Sequence, residues 1–381
     1  MKKILVITTR NPYSGRLSGD VIGSLKIINF LKKKNKVDVV TLGKKRLNIK
    51  NILFFDQPNY LLQLLYVFTS FLKMKPLQFG FFFSQSMKRY IEEHAKNYDL
   101  LFFYHIRSSQ YLPKNYDGNK IIEMGDLYSQ NYFQTFRNLN LLNPLKYIYL
   151  IESFLVKNIE KKIFLRFDKI ILFSKSEIIK ISKQFRKKIF NINLSVNSVQ
   201  NKFSFSYKNN RILFIGNLEY LPNFLAVKDF IKNILPSLRK KIPNIEFCII
   251  GNISKFDKFF LSFHQNIKIL GQKKNIMRYI KNSFCGLANL KIASGVQGKV
   301  LTYMCHGLPV ICSKKVASNF VNKVISYDND IELIEKISYL KNNKKLSNKL
   351  SKRSLQFVKN LSRDKICLQY LKIIKFSKKP S

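Results

Sequence analysis

The clearest chemical potential lies in one stretch, KIASGVQGKVLTYMCHGLPVICS, running from Lys291 to Ser313. Small residues crowd its first half, an apolar run closes it, and two lysines, Lys291 and Lys299, stand out. A helix N-terminus presents unpaired N–H groups and the positive end of the helix dipole, and so holds anions. Small residues let backbone come close to a phosphate, because a Cβ would stand in the way. The run from Ala293 to Gly298 leads into a helical KVLTYM and supplies both, with Lys299 adding charge. An ordinary strand–turn–helix junction has the same pattern, so both readings stand at this point.

Chemically useful groups in the first half follow apolar runs. His105 ends LLFFYH, with Arg107 two residues on; the histidine is either functional or satisfied by local hydrogen bonds. Asp126, in EMGDLYSQNY, could orient a hydroxyl or belong to a helix cap near Ser129. The loop NPYSGRLSGD carries Gly15 and Gly19 and could close over a phosphate or an acceptor. YDND, ending at Asp330, has Asp-x-Asp spacing, but a helical IELIEKI follows and capping accounts for it better. No other carboxylate or histidine group has ligand spacing, so no catalytic metal is expected.

These residues need elements to position them. In the first half KKILVIT, KVDVVTL, YDLLFFYH, NKIIEMG and FDKIILFS read as short buried strands, and GDVIGSLKIINFLKKKN has helical spacing. Strands of this kind separated by helices make a parallel sheet covered on both faces. After the polar stretch SVNSVQNKFSFSYKNN the pattern restarts. RILFIGN, IEFCIIGN, IKILGQ, CGLANL and LPVICS are strands; NFLAVKDFIKNILPSLRKK, KNIMRYIKNSF and the opening segment's KVLTYMCHG are helices. Two doubly wound α/β domains follow, with the boundary near residues 198–210. Ligands of such folds bind at the carboxyl ends of the strands, which makes the interdomain cleft the expected site.

Three segments carry a resemblance. ILFIGNLEYLPN is similar to the first strand and glycine turn of the nucleotide-sugar domain of glycosyltransferase family 4, in a subgroup with Gly-Asn and Tyr-x-Pro-Asn there. IKILGQKKNIMRYIKNSFCGLANL resembles its Leu-Gly loop, helix and strand, and the opening segment resembles its Ser-Gly-x-Gln-x-Lys run. The resemblance implies the GT-B fold, an α/β architecture of two facing Rossmann-like doubly wound domains. Residues 1–200 would be the acceptor domain and 201–360 the nucleotide-sugar domain, with 361–381 a C-terminal helix returning to the first. It implies a sugar transferase that retains anomeric configuration and acts on a glycan or lipid-linked acceptor. Bacterial surface polysaccharide or lipopolysaccharide assembly is the setting it suggests.

The resemblance also implies roles. Donor contacts would come from Gly15 and Gly19, from Gly216, Asn217 and Asn223 after the first strand of the second domain, and from Gln272 and Lys273. In the opening segment they would be Lys291, Ser294, Gly295, Val296, Gln297, Lys299 and Thr302. His105, Arg107 and Asp126 are the catalytic candidates. The family usually has two glutamates eight positions apart, for the donor sugar and the ribose; here Ser294 and Thr302 stand there. Its basic pair is replaced by Asn217 and Pro222. Either Lys291 and Lys299 carry the diphosphate, with ribose held through Thr302 or backbone, or the chain binds donor weakly and serves as a non-catalytic partner.

Composition sets bounds. A chain of 381 residues with 46% hydrophobic residues has material for two cores. Five cysteines without CxxC spacing fit reduced thiols. The apolar run Ile4–Thr9 is short for a signal peptide, and YLLQLLYVFTSFL, broken by Gln63 and Ser70, is short for a membrane span. The formal charge of +46 invites a nucleic-acid reading. Its lysines are spread along the whole chain and arginine is the minority cation, so solvated lysines are expected and a nucleic-acid partner is not. Attraction to anionic lipid is the weaker use such charge allows. The expected location is cytoplasmic and peripheral on the inner membrane face. The stretch Pro58–Phe83, apolar and edged by Lys73 and Lys75, reads either as a surface for a lipid-linked acceptor or as buried helices.

Overall fold

The computed structural model describes residues 1–15, 18–44, 49–196 and 198–375. They form two compact units, Met1–Asn193 joined by the chain from Ile366 onward, and Leu194–Lys365.

Among the described residues, the first unit is built on strands β1 (Lys3–Thr8), β2 (Lys36–Leu42), β3 (Ile52–Phe55), β4 (Leu100–Tyr104), β5 (Asn119–Gly125), β6 (Lys169–Leu172) and β7 (Ile189–Asn191). They pair in parallel in the order β3-β2-β1-β4-β5-β6-β7. The inner strands are apolar without alternation, and every residue of β4 is buried, because helices cover both faces. Pairing runs from Ile4 opposite Leu100 to Thr8 opposite Tyr104, so the ends of β1 and β4 lie level. The last helix, Arg363–Lys375, is held to this sheet by one buried and two partly buried polar contacts. The Tyr370 hydroxyl donates to Glu123, and the ammonium groups of Lys2 and Lys169 donate to the carbonyls of Ile374 and Ile373. Cations at those last carbonyls also complement the helix dipole.

The second unit holds β8 (Arg211–Ile215), β9 (Glu246–Ile250), β10 (Ile267–Ile269), β11 (Ser283–Ala288), β12 (Val310–Ser313) and β13 (Ile325–Tyr327), parallel in the order β10-β9-β8-β11-β12-β13. All six residues of β11 are buried. Gly286 in its middle is where the Tyr303 ring packs, and a Cβ there would run into that ring.

Three segments depart from the sequence reading. NFLAVKDFIKNILPSLRKK is not one continuous α-helix. It runs as Leu221–Asp229, a π-helical turn Phe230–Ile234 and Leu235–Lys241. Pro236 has no N–H and its ring crowds the carbonyl four residues back, which the wider turn relieves. The helix in KNIMRYIKNSF is confined to Met277–Lys281. In the apolar stretch Pro58–Phe83, the helix Tyr60–Leu72 buries none of its residues, so the buried-helix alternative does not hold for it.

Candidate functional site

In the second unit the strand order reverses between β8 and β11, and the carboxyl ends of strands at such a reversal are where open α/β sheets bind ligands. After β8 the chain turns through Gly216 and Asn217 into the helix Leu221–Asp229. Asn223, buried on that helix, brackets the turn: its Nδ2 donates to the Asn217 carbonyl at 2.7 Å. Its Oδ1 accepts from Lys299 Nζ at 2.7 Å. A Cβ on Gly216 would stand 3.0 Å from Asn223 Nδ2 and 3.1 Å from Lys299 Nζ, so glycine is what lets these groups meet.

Lys299 Nζ also lies 3.9 Å from the centroid of the Phe214 ring. An ammonium has three protons. One goes to Asn223 and the ring face takes part of the rest. Among the described residues no carboxylate pairs with it. Burial pushes its pKa down to about 7, so it is poised to gain charge when an anion arrives.

The loop after β11 reaches Lys299 by a left-handed turn at Gly295, φ +61°, whose carbonyl accepts from Asn319 Nδ2 at 2.8 Å. Gln297 Nε2 donates to the Ser294 carbonyl at 2.8 Å. The helix Gly298–Cys305 starts at Gln297 with no side-chain cap, and a Cβ on Gly298 would meet nothing within 4 Å. An uncapped helix start beside open space, with a lysine in its first turn, can hold a phosphate.

The structure gathers Gly216, Asn217, Asn223, Ser294, Gly295, Val296, Gln297 and Lys299 at the ends of β8 and β11. Lys291 is turned aside: its ammonium pairs with Asp229 at 2.8 Å, in an exposed pair that solvent screens. Gln272 and Lys273 are exposed after Gly271, beyond the edge strand β10. The Thr302 hydroxyl donates to the Gly298 carbonyl at 3.0 Å, so its only proton is spent on the helix and its lone pairs are what remain for a ligand. Thr302→Glu would place a carboxylate there. It is expected to tighten nucleotide binding about tenfold, as a charged acceptor does for a hydroxyl, read by calorimetric titration.

Two residues the sequence did not point to complete this arrangement. The Tyr303 hydroxyl accepts from Ile215 N at 2.7 Å and donates to the Leu287 carbonyl at 3.3 Å, tying β8 to β11 where both end. Gly251 lets the end of β9 touch the Gly216 carbonyl. Tyr303 falls on the inner side of a helical pattern and Gly251 ends an apolar strand, but neither carries a recognisable motif.

In the first unit the order reverses between β1 and β4. Arg10 follows β1, Asp20 opens the helix Gly19–Lys32, and His105 and Arg107 follow β4. Arg10 Nη1 lies 2.7 Å from Asp20 Oδ2, and Arg107 Nη2 lies 3.5 Å from the same oxygen. Arg107 is buried over the Phe82 ring at 4.1 Å, with its Nε unpartnered. His105 has φ +71°, a strained conformation for a side chain of this size. Its backbone N–H donates to the Glu123 carbonyl, and its Nδ1 accepts from Arg107 N at 3.4 Å. Burial, then Arg107 and Arg10, push its pKa well below the ordinary value, so the ring is neutral.

Asp126 follows β5 with Oδ1 buried and unpartnered; burial and the neighbouring Glu177 push its pKa well up. It does not cap the next helix. Ser129 N and Oγ are taken by Glu160, and Leu127 N by Glu177, carboxylates that arrive from other elements. Burial pushes Glu160 up to about 7. Gly15, φ +73°, and Gly19 have open space where a Cβ would be. Arg16 and Leu17 of their loop lie outside the described residues. Arg10 and Asp20 were not singled out in the sequence; an arginine and an aspartate ten apart across a loop carry no spacing rule.

At Asp328–Asp330 the Asn329 side chain accepts from Glu332 N at 2.9 Å and caps the helix Asp330–Asn342, while Asp328 pairs with Lys314 at 3.0 Å.

Comparison with known proteins places this geometry. Residues 209–343 match the family model described as Glycosyl transferases group 1. The matched segment runs from β8 to the end of the helix Asp330–Asn342 and contains the whole Gly216–Lys299 constellation. No curated protein matches the chain significantly. Among solved structures, a Staphylococcus aureus TarM mutant in complex with Fondaparinux, alpha-GlcNAc-glycerol and UDP superposes with TM-score 0.65 at 12% identity, over 98% of this chain and 99% of that one. Anabaena HepE in complex with UDP and glucose gives 0.65 at 12%, over 99% and 100%. WaaG, described as a glycosyltransferase involved in lipopolysaccharide biosynthesis, gives 0.64 at 12%, over 98% and 100%. The fold is therefore that of the GT-B glycosyltransferases: two units, each a parallel sheet covered by helices.

Proposed function

We propose that this protein is a glycosyltransferase. It moves a sugar from a nucleoside-diphosphate donor to a glycan or lipid-linked acceptor, with retention of configuration, in bacterial surface polysaccharide assembly. The observation that carries this reading is Lys299, an enclosed ammonium with no carboxylate partner among the described residues, beside an uncapped helix start at a topological switch point. When the bond to the anomeric carbon breaks, charge grows on the β-phosphate, and fixed donors aimed there lower the barrier. Lys299 and the N–H groups of the first turn are those donors, and no metal enters the reading.

The acceptor belongs to the first unit. Asp126, whose carboxyl burial and Glu177 push toward the protonated form, orients an acceptor hydroxyl, and Arg10 and Arg107 supply positive charge at the ends of β1 and β4. His105, neutral and pinned by its own backbone, shapes the site. The UDP complexes of TarM and HepE and the lipopolysaccharide setting of WaaG support the reading by similarity of fold. The proposed location is the cytoplasm at the inner face of the cell membrane.

Thermal unfolding with UDP, GDP, ADP and CMP, with and without EDTA, tests it. One diphosphate nucleotide is expected to raise Tm by several degrees regardless of EDTA, since ligand at about 100 times Kd stabilises by about 2.7 kcal/mol. No shift with any nucleotide would favour a second reading, a non-catalytic GT-B partner. Ser294 and the committed hydroxyl of Thr302, where carboxylates would hold sugar and ribose, are the observations behind that alternative.

A further inference from the structure

The helix Tyr60–Leu72 has no buried residue, yet its sequence is almost wholly apolar. Leu61, Leu65, Phe68 and Leu72 recur at helical spacing with 78%, 53%, 58% and 64% of their surface exposed. They form one continuous stripe, since residues three and four apart share a face. The opposite side is spoken for. Gly80 lets the helix Leu77–Phe81 press on the backbone of Tyr66 and Val67, and the Tyr66 ring meets Phe83 edge-on at 4.9 Å. The stripe is thus turned outward by packing on its own back.

Its surroundings are basic. Lys73 and exposed Lys75 follow the helix directly. Lys75 is held below its ordinary pKa by partial burial and by the charges of Lys88, Lys73 and Lys162, which lie around it. Lys88 lies 3.8 Å from Glu92.

We infer that this helix lies in the headgroup layer of an anionic membrane, its leucine and phenylalanine stripe among the acyl chains and Lys73, Lys75, Lys88 and Lys162 on the lipid phosphates. A helix of 13 residues cannot cross a bilayer, and no described helix can. A strongly apolar face with cations at its margin is what an interfacial helix needs. A second copy of the chain is the poorer occupant: pairing two such faces would bring together two lysine clusters on chains of net charge +46. Nucleic acid would find the lysines but has no use for an aliphatic stripe. The inference deepens the membrane-side location proposed above and does not depend on the transfer chemistry, so either can fail alone.

The chain contains no tryptophan, which gives a clean probe. Phe68→Trp would be its sole indole in the stripe. Phe263→Trp would serve as comparator, because Phe256, Phe259 and Phe263 form a smaller exposed aromatic stripe in the second unit. The full chain is mixed with phosphatidylcholine vesicles, with or without phosphatidylglycerol, and read by emission and co-sedimentation. A blue shift of Phe68→Trp with phosphatidylglycerol only, and none for Phe263→Trp, is the expected result. Lys73→Gln with Lys75→Gln should weaken binding about fivefold per lysine. Leu61→Ser with Leu65→Ser should lower it more than tenfold, with Tm unchanged because both side chains are exposed.

A shift in Phe263→Trp alone, equal binding to neutral vesicles, or no binding at all would overturn the inference. So would a concentration-dependent dimer on gel filtration that the two serines abolish, since the face would then belong to a second copy.

Discussion

Replacing Lys299 by methionine is expected to weaken binding of the nucleoside diphosphate ten- to a hundredfold, with no loss of stability in the free protein at neutral pH. The first effect follows from the loss of a charge-assisted contact to phosphate, worth about 1.5–3 kcal/mol. The second follows from the state of the free site. The ammonium is enclosed without a carboxylate, so its charge is not a source of stability there. Methionine keeps the stem's contact with Phe214, while Asn223 loses one partner and retains its bond to the Asn217 carbonyl.

The same lysine gives a pH signature with a definite sign. Its folded pKa, about 7, lies below the ordinary value of 10.5 because of burial. Between those values the unfolded chain binds more protons than the folded one, so this residue makes stability rise with pH across that window. Ligand affinity should move the other way. A bound diphosphate favours the charged form, so binding takes up a proton and weakens as pH climbs above about 7. Calorimetry in two buffers of different ionisation enthalpy would read that uptake in the wild type and none in Lys299→Met. Wild-type affinity flat across pH 7 to 9 would rule out Lys299 as the phosphate ligand.

How much was legible follows from what makes each feature. The inner strands announce themselves because burial on both faces leaves uninterrupted runs such as LLFFY and KILVIT. The edge strands β3, β7 and β13 are three or four residues long and only partly buried, so they lack that contrast and escape notice. The Gly216–Lys299 constellation was legible because one chain segment carries most of it, and a glycine-rich turn before a helix is written locally. What was not legible was where each long side chain ends. Lys291 and Lys299 look equivalent in sequence; Asp229 claims one and Asn223 holds the other. In the first unit the arginine pair on Asp20 depends on the level ends of β1 and β4, a property of register rather than of spacing. The exposed helix Tyr60–Leu72 left its alternatives open for a similar reason, since an apolar helix reads the same whether protein or lipid covers it.

Two glycines of the candidate site should respond to alanine in opposite directions, and the contrast tests the geometry most severely. Gly251 has φ +153°, and its Cβ would fall directly onto the Gly216 carbonyl oxygen and within 3.2 Å of Asn217 N. Those are backbone atoms and cannot rotate away. Gly251→Ala must push the Gly216–Asn217 turn off the end of β9, at a cost of about 2–4 kcal/mol from overlap and backbone strain together. The Tm should fall by about 5 to 15 °C, and nucleotide binding should go with it, because Asn223 is anchored on that turn and in turn holds Lys299. Gly298 has ordinary φ and open space around its Cβ position, so Gly298→Ala should raise stability by about 0.4–1 kcal/mol through the unfolded state alone. If that open space is where phosphate sits, the added methyl should still reduce nucleotide affinity. Stabilisation with binding intact would mean that the phosphate does not sit at this helix start, and Lys299 would have to act from elsewhere along its own side chain's reach.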